Sequence, residues 1–174
     1  MLSTLVRITA VLGVLGLAAA CGGNGAPAGS GQQYVPQGGG NGVTSTVAVM
    51  TQGGGKVLVD STGAALYTND QDGSRPTCVS KDCVAIWVPL TVPTGQQPTA
   101  GPGVGGTIST VPVGAGEDQV TLNGKPLYTF ALDGRGQAHG NGFKDNFDGR
   151  NFTWHSAVSA GDTAPASVSA TPGY

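Results

Sequence analysis

Residues 56 to 68 (Lys-Val-Leu-Val-Asp-Ser-Thr-Gly-Ala-Ala-Leu-Tyr-Thr) line up with residues 118 to 129 (Asp-Gln-Val-Thr-Leu-Asn-Gly-Lys-Pro-Leu-Tyr-Thr), the second stretch being one residue shorter at its turn. Both reach Leu-Tyr-Thr and both place an aspartate five residues past the tyrosine, Asp72 after Tyr67 and Asp133 after Tyr128. Both later carry a tryptophan, Trp87 and Trp154. Self-similarity at this level points to two diverged copies of one small structural unit.

Each copy reads as a β-hairpin. Short β-prone runs flank Thr62-Gly63 in the first and Asn123-Gly124 in the second, and Asn-Gly is the strongest short-range signal for a type I′ turn. A two-residue loop there sets Leu122 opposite Lys125 and Thr121 opposite Pro126. Proline has no N–H to give to an outer strand, so the strand carrying Tyr128 is expected to be an edge at Pro126 or to bulge away from its neighbour. On that pairing Val120 and Leu127 share one face, while Tyr128 and Phe130 share the other with Gln119 and Thr121. Further strands are expected at Thr44–Met50, Val88–Val92, Ile108–Val113 and Phe152–Val158, all Val/Thr-rich and bounded by Gly or Pro. Helix is expected only over Val79–Trp87, capped by Thr77 and stopped by Pro89. The expected fold is therefore mainly β: a small antiparallel domain of two hairpin-containing repeats, about 44–92 and 107–160, with a long Gly/Pro loop at 93–106 between them.

The flanks are of a different kind. Arg7 precedes a thirteen-residue apolar run, Ile8–Ala20, which is too short to span a bilayer and fits a signal peptide core. It ends Leu17-Ala18-Ala19-Ala20-Cys21, similar to the lipobox of exported lipoproteins, with Ala18 where Leu is commoner. Cleavage would leave Cys21 to carry lipid; the alternative is an ordinary secreted chain with a spare thiol, a liability in an oxidising compartment. Residues 22–43 contain nine Gly with Pro27 and Pro36 and no charge, the composition of a flexible tether with a reach of roughly 25 Å. Residues 161–174 read as a disordered tail. The domain at 44–160, about 115 residues long, suffices for one core.

Charge excludes some partners. Eight basic residues against ten acidic give a net charge of -2 with no basic stripe, so nucleic acid is not an expected partner. Charged residues are 10% of the chain while Gly numbers 31, so solubility rests on neutral polar groups. The bias to Gly, Ala, Val and Thr suggests a GC-rich, actinobacterial genome.

At these motifs the chain resembles the secreted-repeat bacterial lipoproteins with a Tyr-x4-Asp signature, over about residues 45 to 160. The first copy of that family runs leucine-tyrosine, aspartate, a close cysteine pair and a Trp-Pro-Pro-Leu-like stretch, matched here by Leu66-Tyr67, Asp72, Cys78 with Cys83, and Trp87-Val88-Pro89-Leu90. Val88 stands in place of a proline. The second is matched by Asn123-Gly124, Pro126-Leu127-Tyr128, Asp133, Gly140–Gly142 and Trp154, with a longer Asp145–Asn151 insert. The resemblance implies an envelope location and brings no activity.

Candidate chemistry is sparse. Tyr67/Asp72 and Tyr128/Asp133 could converge on a ligand, or each Asp could cap the turn that follows while the Tyr ring packs in the core. Trp87 and Trp154 belong to the same candidate set. Cys78 and Cys83, close together in an exported chain, should form a disulfide that stabilises by roughly 2 kcal/mol; a redox-active pair or half a zinc site are the alternatives. His139 and His155, with Asp133, Asp145 and Asp148, lack metal-ligand spacing, and Asp145–Gly149 resembles a calcium loop only superficially because Phe147 fills a ligand position. Gly101–Gly106 fits G-x-G-x-x-G but leads into a strand, where it cradles no phosphate. No catalytic residue, metal or cofactor is assigned, and no nucleophile elbow or His-Glu-x-x-His is present. The expected role is that of a lipid-anchored, extracytoplasmic, non-catalytic module that binds a cell-wall component or envelope protein or serves structurally. The alternative is a redox, cofactor- or metal-handling envelope lipoprotein, motivated by the Tyr/Trp pairs and the cysteines.

Overall fold

The computed structural model describes residues 46–164. The leader, Cys21, the tether and residues 165–174 lie outside the described residues. Eleven strands and one short helix follow in order: β1 Val47–Gln52, β2 Gly55–Asp60, β3 Leu66–Asn69, α1 Lys81–Ile86, β4 Trp87–Pro89, β5 Thr91–Pro93, β6 Ile108–Gly114, β7 Glu117–Leu122, β8 Lys125–Pro126, β9 Tyr128–Phe130, β10 Lys144–Phe147 and β11 Arg150–Ser156. The protein is mainly β with antiparallel strand pairing, and its small helix contains Cys83. The strands form a two-stranded sheet β1-β2, a five-stranded sheet β10-β11-β3-β9-β4, and a third sheet β5-β7-β6 with β8 on β7.

The hairpin at Asn123-Gly124 has the expected register, Leu122↔Lys125 and Thr121↔Pro126. Asn123 and Gly124 both have positive φ, 51° and 80°, as a type I′ turn requires. The first hairpin turns differently. Asp60 N donates to Ala64 O at 2.9 Å, and the Asp60 carboxylate accepts from Thr62 N, Thr62 Oγ1 and Ala64 N. The result is a three-residue loop with Gly63 left-handed at φ 87°, which accounts for the extra residue in this copy. Gly63 sits beneath the Arg135 side chain, and Arg135 Nε donates to Thr62 O at 2.7 Å.

Pro126 pairs on one side only, with β7. The chain then leaves that sheet: Leu127 N still donates to Val120 O at 2.9 Å, but Tyr128 enters the five-stranded sheet between β3 and β4. The chain is therefore an edge at Pro126, as expected, and becomes interior from Tyr128 onward, because the missing proline donor ends one ladder just where the next begins. The stretch expected as one strand over Val88–Val92 breaks in the same way at Leu90. Its N–H donates to Leu127 O and its carbonyl accepts from Val120 N, leaving β4 and β5 in different sheets.

Other differences have local causes. The helix is shorter than expected, and its N-cap is Ser80, whose Oγ accepts from Cys83 N at 3.3 Å. Thr77 is engaged by Asp72 instead. β1 runs to Gln52, two residues past the expected end, and β11 spans Arg150–Ser156 rather than Phe152–Val158. The hairpin β10–β11 was not expected. It turns at Asp148-Gly149, both with positive φ (50° and 75°), and pairs Phe147 with Arg150. The 93–106 loop is anchored rather than free, with Val47 N on Thr99 O and Gly101 N on Val47 O. The first residues of the expected tail also pack down, with Lys56 N on Thr163 O and Lys56 Nζ on Asp162 at 3.3 Å.

The two halves are related by an approximate two-fold axis that passes between β3 and β9, where Tyr67 pairs with Tyr128. Each half lends its tryptophan strand to the other half's tyrosine strand. β4 lies on β9 with Trp87↔Phe130 and Pro89↔Tyr128, and β11 lies on β3 with Trp154↔Asn69 and Ser156↔Tyr67. The flanking bonds repeat the relation: Leu58 N to Ala157 O and Val120 N to Leu90 O, both 2.8 Å, then Ala157 N to Leu66 O and Leu90 N to Leu127 O. Period-2 alternation in β3 and β9 sends Leu66 and Leu127 into an aliphatic cluster with Val47, Leu58 and Val120, and sends Tyr67, Tyr128 and Phe130 into an aromatic one.

Because the strands are exchanged between halves, cutting the connection should not release them. A protease site inserted in the exposed Gly95–Gln97 stretch and cleaved after folding should give two fragments that co-elute on size exclusion and separate only in denaturant. Separate elution without denaturant would contradict the exchanged pairing.

Candidate functional site

The sequence-predicted residues come together in the aromatic cluster, and the tyrosine–aspartate contacts run across the halves. Tyr67 Oη donates to Asp133 Oδ2 at 2.5 Å, and Tyr128 Oη donates to Asp72 Oδ2 at 2.7 Å. Neither tyrosine meets the aspartate of its own signature in these bonds. Tyr67, Tyr128, Trp87 and Trp154 are fully buried. Asp72 is buried as well, and the Asp133 side chain is 1% exposed.

Both carboxylates also hold the loop that follows them. Asp72 Oδ1 accepts from Thr77 N at 2.7 Å and Thr77 Oγ1 at 2.6 Å, while its Oδ2 shares Tyr128 with Asn69 Nδ2 at 2.9 Å. Asp133 Oδ1 accepts from His139 N at 3.0 Å and lies 3.2 Å from His139 Nδ1 on a half-exposed ring. Lys125 Nζ adds a cross-half contact at 2.8 Å to Asp72 O. A carboxylate that accepts several donors is stabilised in its charged form, which is what permits an aspartate to sit in this interior.

The tryptophans lie on one another with ring centroids 3.9 Å apart and planes 8° from parallel. Each meets the tyrosine of its own half edge-on, Tyr67–Trp87 at 5.4 Å and Tyr128–Trp154 at 5.1 Å. Phe130 stacks on the other face of Trp87 at 4.3 Å. Aromatic contacts of this kind add about 0.5–1.5 kcal/mol each beyond burial. The indoles differ in polar environment: Trp87 Nε1 donates to Asp145 Oδ2 at 2.7 Å, whereas Trp154 Nε1 has no partner among the described residues.

Two contributors were not singled out from the sequence. In the sequence Asp145 reads only as a poor metal ligand, yet it holds an indole in the core. Gly140 packs against the rings so closely that a Cβ there would lie 2.7 Å from Trp87 and 2.9 Å from Tyr67, and its N–H donates to Tyr67 Oη at 3.2 Å. The sequence signal for Gly140 was the Gly-rich run at 140–142, which says where backbone approaches closely but not to what.

Cys78 and Cys83 form a disulfide with a Cα–Cα distance of 5.6 Å, and both are buried in the aromatic cluster. His155 pairs instead with Asp70, Nε2 to Oδ1 at 3.0 Å, so the two histidines serve different aspartates. No group of three or more His, Cys, Asp or Glu among the described residues is placed to hold a metal ion. No helix among them is long and apolar enough to cross a membrane.

Burial, then the adjacent carboxylate charge, pushes both phenols well above their ordinary range, Tyr67 beside Asp133 and Tyr128 beside Asp72. A phenol whose pKa is raised on folding contributes stability that is fully present below the unfolded value, about 10, and is lost as pH rises beyond it. Stability should therefore be level through neutral pH and fall above pH ~10 by about 1.4 kcal/mol per pH unit for each phenol. Chemical denaturation at stepped alkaline pH checks this, and Tyr67→Phe or Tyr128→Phe should each roughly halve the slope. An alkaline limb unchanged in both variants would contradict the assignment.

Asp72 and Asp133 should differ in how much they support. Asp72→Ala strips partners from Thr77, Asn69 and Tyr128 together and should cost at least about 3 kcal/mol. Asp133→Ala frees Tyr67 Oη and His139 N and should cost about 1.5–3 kcal/mol. Urea midpoints at constant slope measure both; unchanged midpoints would contradict a structural role.

Among known proteins, a family model described as a secreted repeat of unknown function matches residues 109–150. The match is consistent with an extracytoplasmic protein of unknown activity. Neither the curated proteins nor the solved structures contain a significant match to the chain.

Proposed function

We propose that this chain is a lipid-anchored, extracytoplasmic, non-catalytic module of the cell envelope. In this reading Met1–Ala20 direct export, Cys21 carries the lipid, and the 22–43 tether holds the domain just off the outer face of the membrane. One observation carries the non-catalytic part: all four signature groups are buried and hydrogen-bonded across the two halves, so the Tyr-x4-Asp signature acts as scaffold. The scaffold then presents its outer surface to a wall component or an envelope protein. The match to a secreted repeat and the lipobox-like Leu17–Cys21 support the location.

Two measurements test the reading. Metabolic labelling with an alkyne fatty acid should tag the wild-type protein and leave Cys21→Ser untagged and released from the membrane fraction. A Cys21→Ser protein that still labels and still sediments with membranes would overturn the anchor. Detergent-phase pull-down at native expression should recover a reproducible envelope partner or wall fragment. Repeated failure to recover one would count against the binding role.

A further inference from the structure

The sheets β1-β2 and β5-β7-β6 are counterparts in the two halves but are bordered differently. Val47, opposite Asp60, holds the place that Ile108, opposite Leu122, holds in the second half. Asn123 N donates to Thr107 O, so alternation turns the N–H and C=O groups of Ser109 and Val111 toward β7 and those of Ile108 and Thr110 away from it. Val47 turns outward in the same way, and an extended segment meets it there. Val47 N donates to Thr99 O at 3.0 Å and Gly101 N to Val47 O at 2.8 Å, with Val47 and Ala100 bridged in parallel. Along β6 no segment among the described residues does this, and β6 ends its sheet. Val47 is fully buried and Ile108 only half-buried.

We propose that the outer edge of β6, at Ile108 and Thr110, is the docking site of this chain's own C-terminal segment, residues 165–174, taken up as a parallel strand. This goes beyond the module reading and stands whether or not Cys21 carries lipid.

The place where the described chain ends favours this occupant. Lys56 N donates to Thr163 O at 3.2 Å, and Lys56 corresponds in the other half to Asp118, which lies opposite Val92. Thr163 therefore stands on β2 as Val92 stands on β7. In the first half Thr99 reaches Val47 seven residues after Val92, although part of that length is taken up by a turn in which Gln96 N bonds Pro93 O. By the two-fold relation the same path from Thr163 leads to Ile108. Eleven residues follow Thr163 in the sequence, enough to reach the edge and run along it.

The prolines of the segment select the register. Ala170, seven residues after Thr163, would set Pro172 where an N–H is needed for Ile108 O. One residue earlier every requirement is met: Ser169 O accepts from Ile108 N, Thr171 donates to Ile108 O and accepts from Thr110 N, and Gly173 donates to Thr110 O. Pro172 then turns its donorless nitrogen outward, the position a proline tolerates on an edge strand. On β6 itself Pro112, the next outward residue after Thr110, has no N–H to offer, so the ladder stops where the segment ends. An uncovered edge is a template for a foreign strand. The docked segment is thus an intramolecular competitor, and a neighbour's strand reaches β6 only by displacing it.

The test follows backbone amide exchange by nuclear magnetic resonance in the full mature chain in detergent micelles, and in the same chain ending at Ala164. The Ile108 and Thr110 amides are expected to exchange roughly tenfold or more slowly in the full chain than in the shortened one. Ser109 and Val111, bonded to β7, should exchange alike in both. Thr171→Pro in the full chain removes the donor to Ile108 O and should bring Ile108 and Thr110 to the rate of the shortened chain. Equal exchange of these two amides in the full and shortened chains overturns the proposal. Protection in the shortened chain that grows with protein concentration assigns the edge to a second copy and also overturns it. Should the shortened chain fail to fold, the full-length pair decides: equal exchange with and without Thr171→Pro overturns the proposal as well.

Discussion

The exchange of hydrogen bonds between Tyr67 and Asp133 and between Tyr128 and Asp72 is the constraint around which this domain is organised. Each bond joins a strand of one half to a loop of the other, 66 and 56 residues apart in sequence. An interior carboxylate is costly unless its oxygens are satisfied, and here one donor to each, a tyrosine hydroxyl, becomes available only when both halves are in place. The tyrosines pair with each other at the axis, and the tryptophans stack against each other, so polar and aromatic contacts impose the same arrangement. Neither half has a complete core alone.

What could be read from sequence was whatever depends on neighbours along the chain. The Asn123-Gly124 turn and its register followed from the positive φ that a type I′ turn demands, and the one-sided pairing of Pro126 followed from its missing donor. Asp148-Gly149 carries the same kind of turn signal, but it lies within Asp145–Gly149, a segment that equally resembles a cation loop, and the hairpin it closes is settled only by the pairing of Phe147 with Arg150. The strand breaks at Leu90 and Leu127 were not legible because each depends on the other: Leu90 N–H bonds Leu127 O across the two copies. For the same reason the signature motif could be recognised within each copy, while the partner of each tyrosine could not. Alternation tells which face a side chain takes and is silent on which strand comes alongside.

The copies have diverged around a shared frame. Asn69 occupies the place that Phe130 holds in the other half, each opposite a tryptophan, and it sends an amide to Asp72 where Phe130 sends a ring to Trp87. The loop after Asp72 is closed by Thr77, the short helix and a disulfide. The loop after Asp133 is closed by His139 and glycines and ends in the β10–β11 hairpin. One carboxylate is thereby enclosed by donors, and the other stands next to a half-exposed imidazole. Duplicated backbone with unequal polar contacts gives the two halves separate chemical character without altering the pairing that unites them.

The crossing of strands between halves also governs how the chain must acquire its shape. A polypeptide delivered from its N-terminus presents Tyr67 and Trp87 long before Trp154 arrives, since β11 is the last strand in the order. Until then the first half has bare indole and phenol surface, together with a buried-type aspartate still in water. Contacts between such distant segments are slow to form because the intervening loop must first close. The period of greatest exposure thus falls at the end of delivery, when nearly all of the chain is out and only its final strand is wanting.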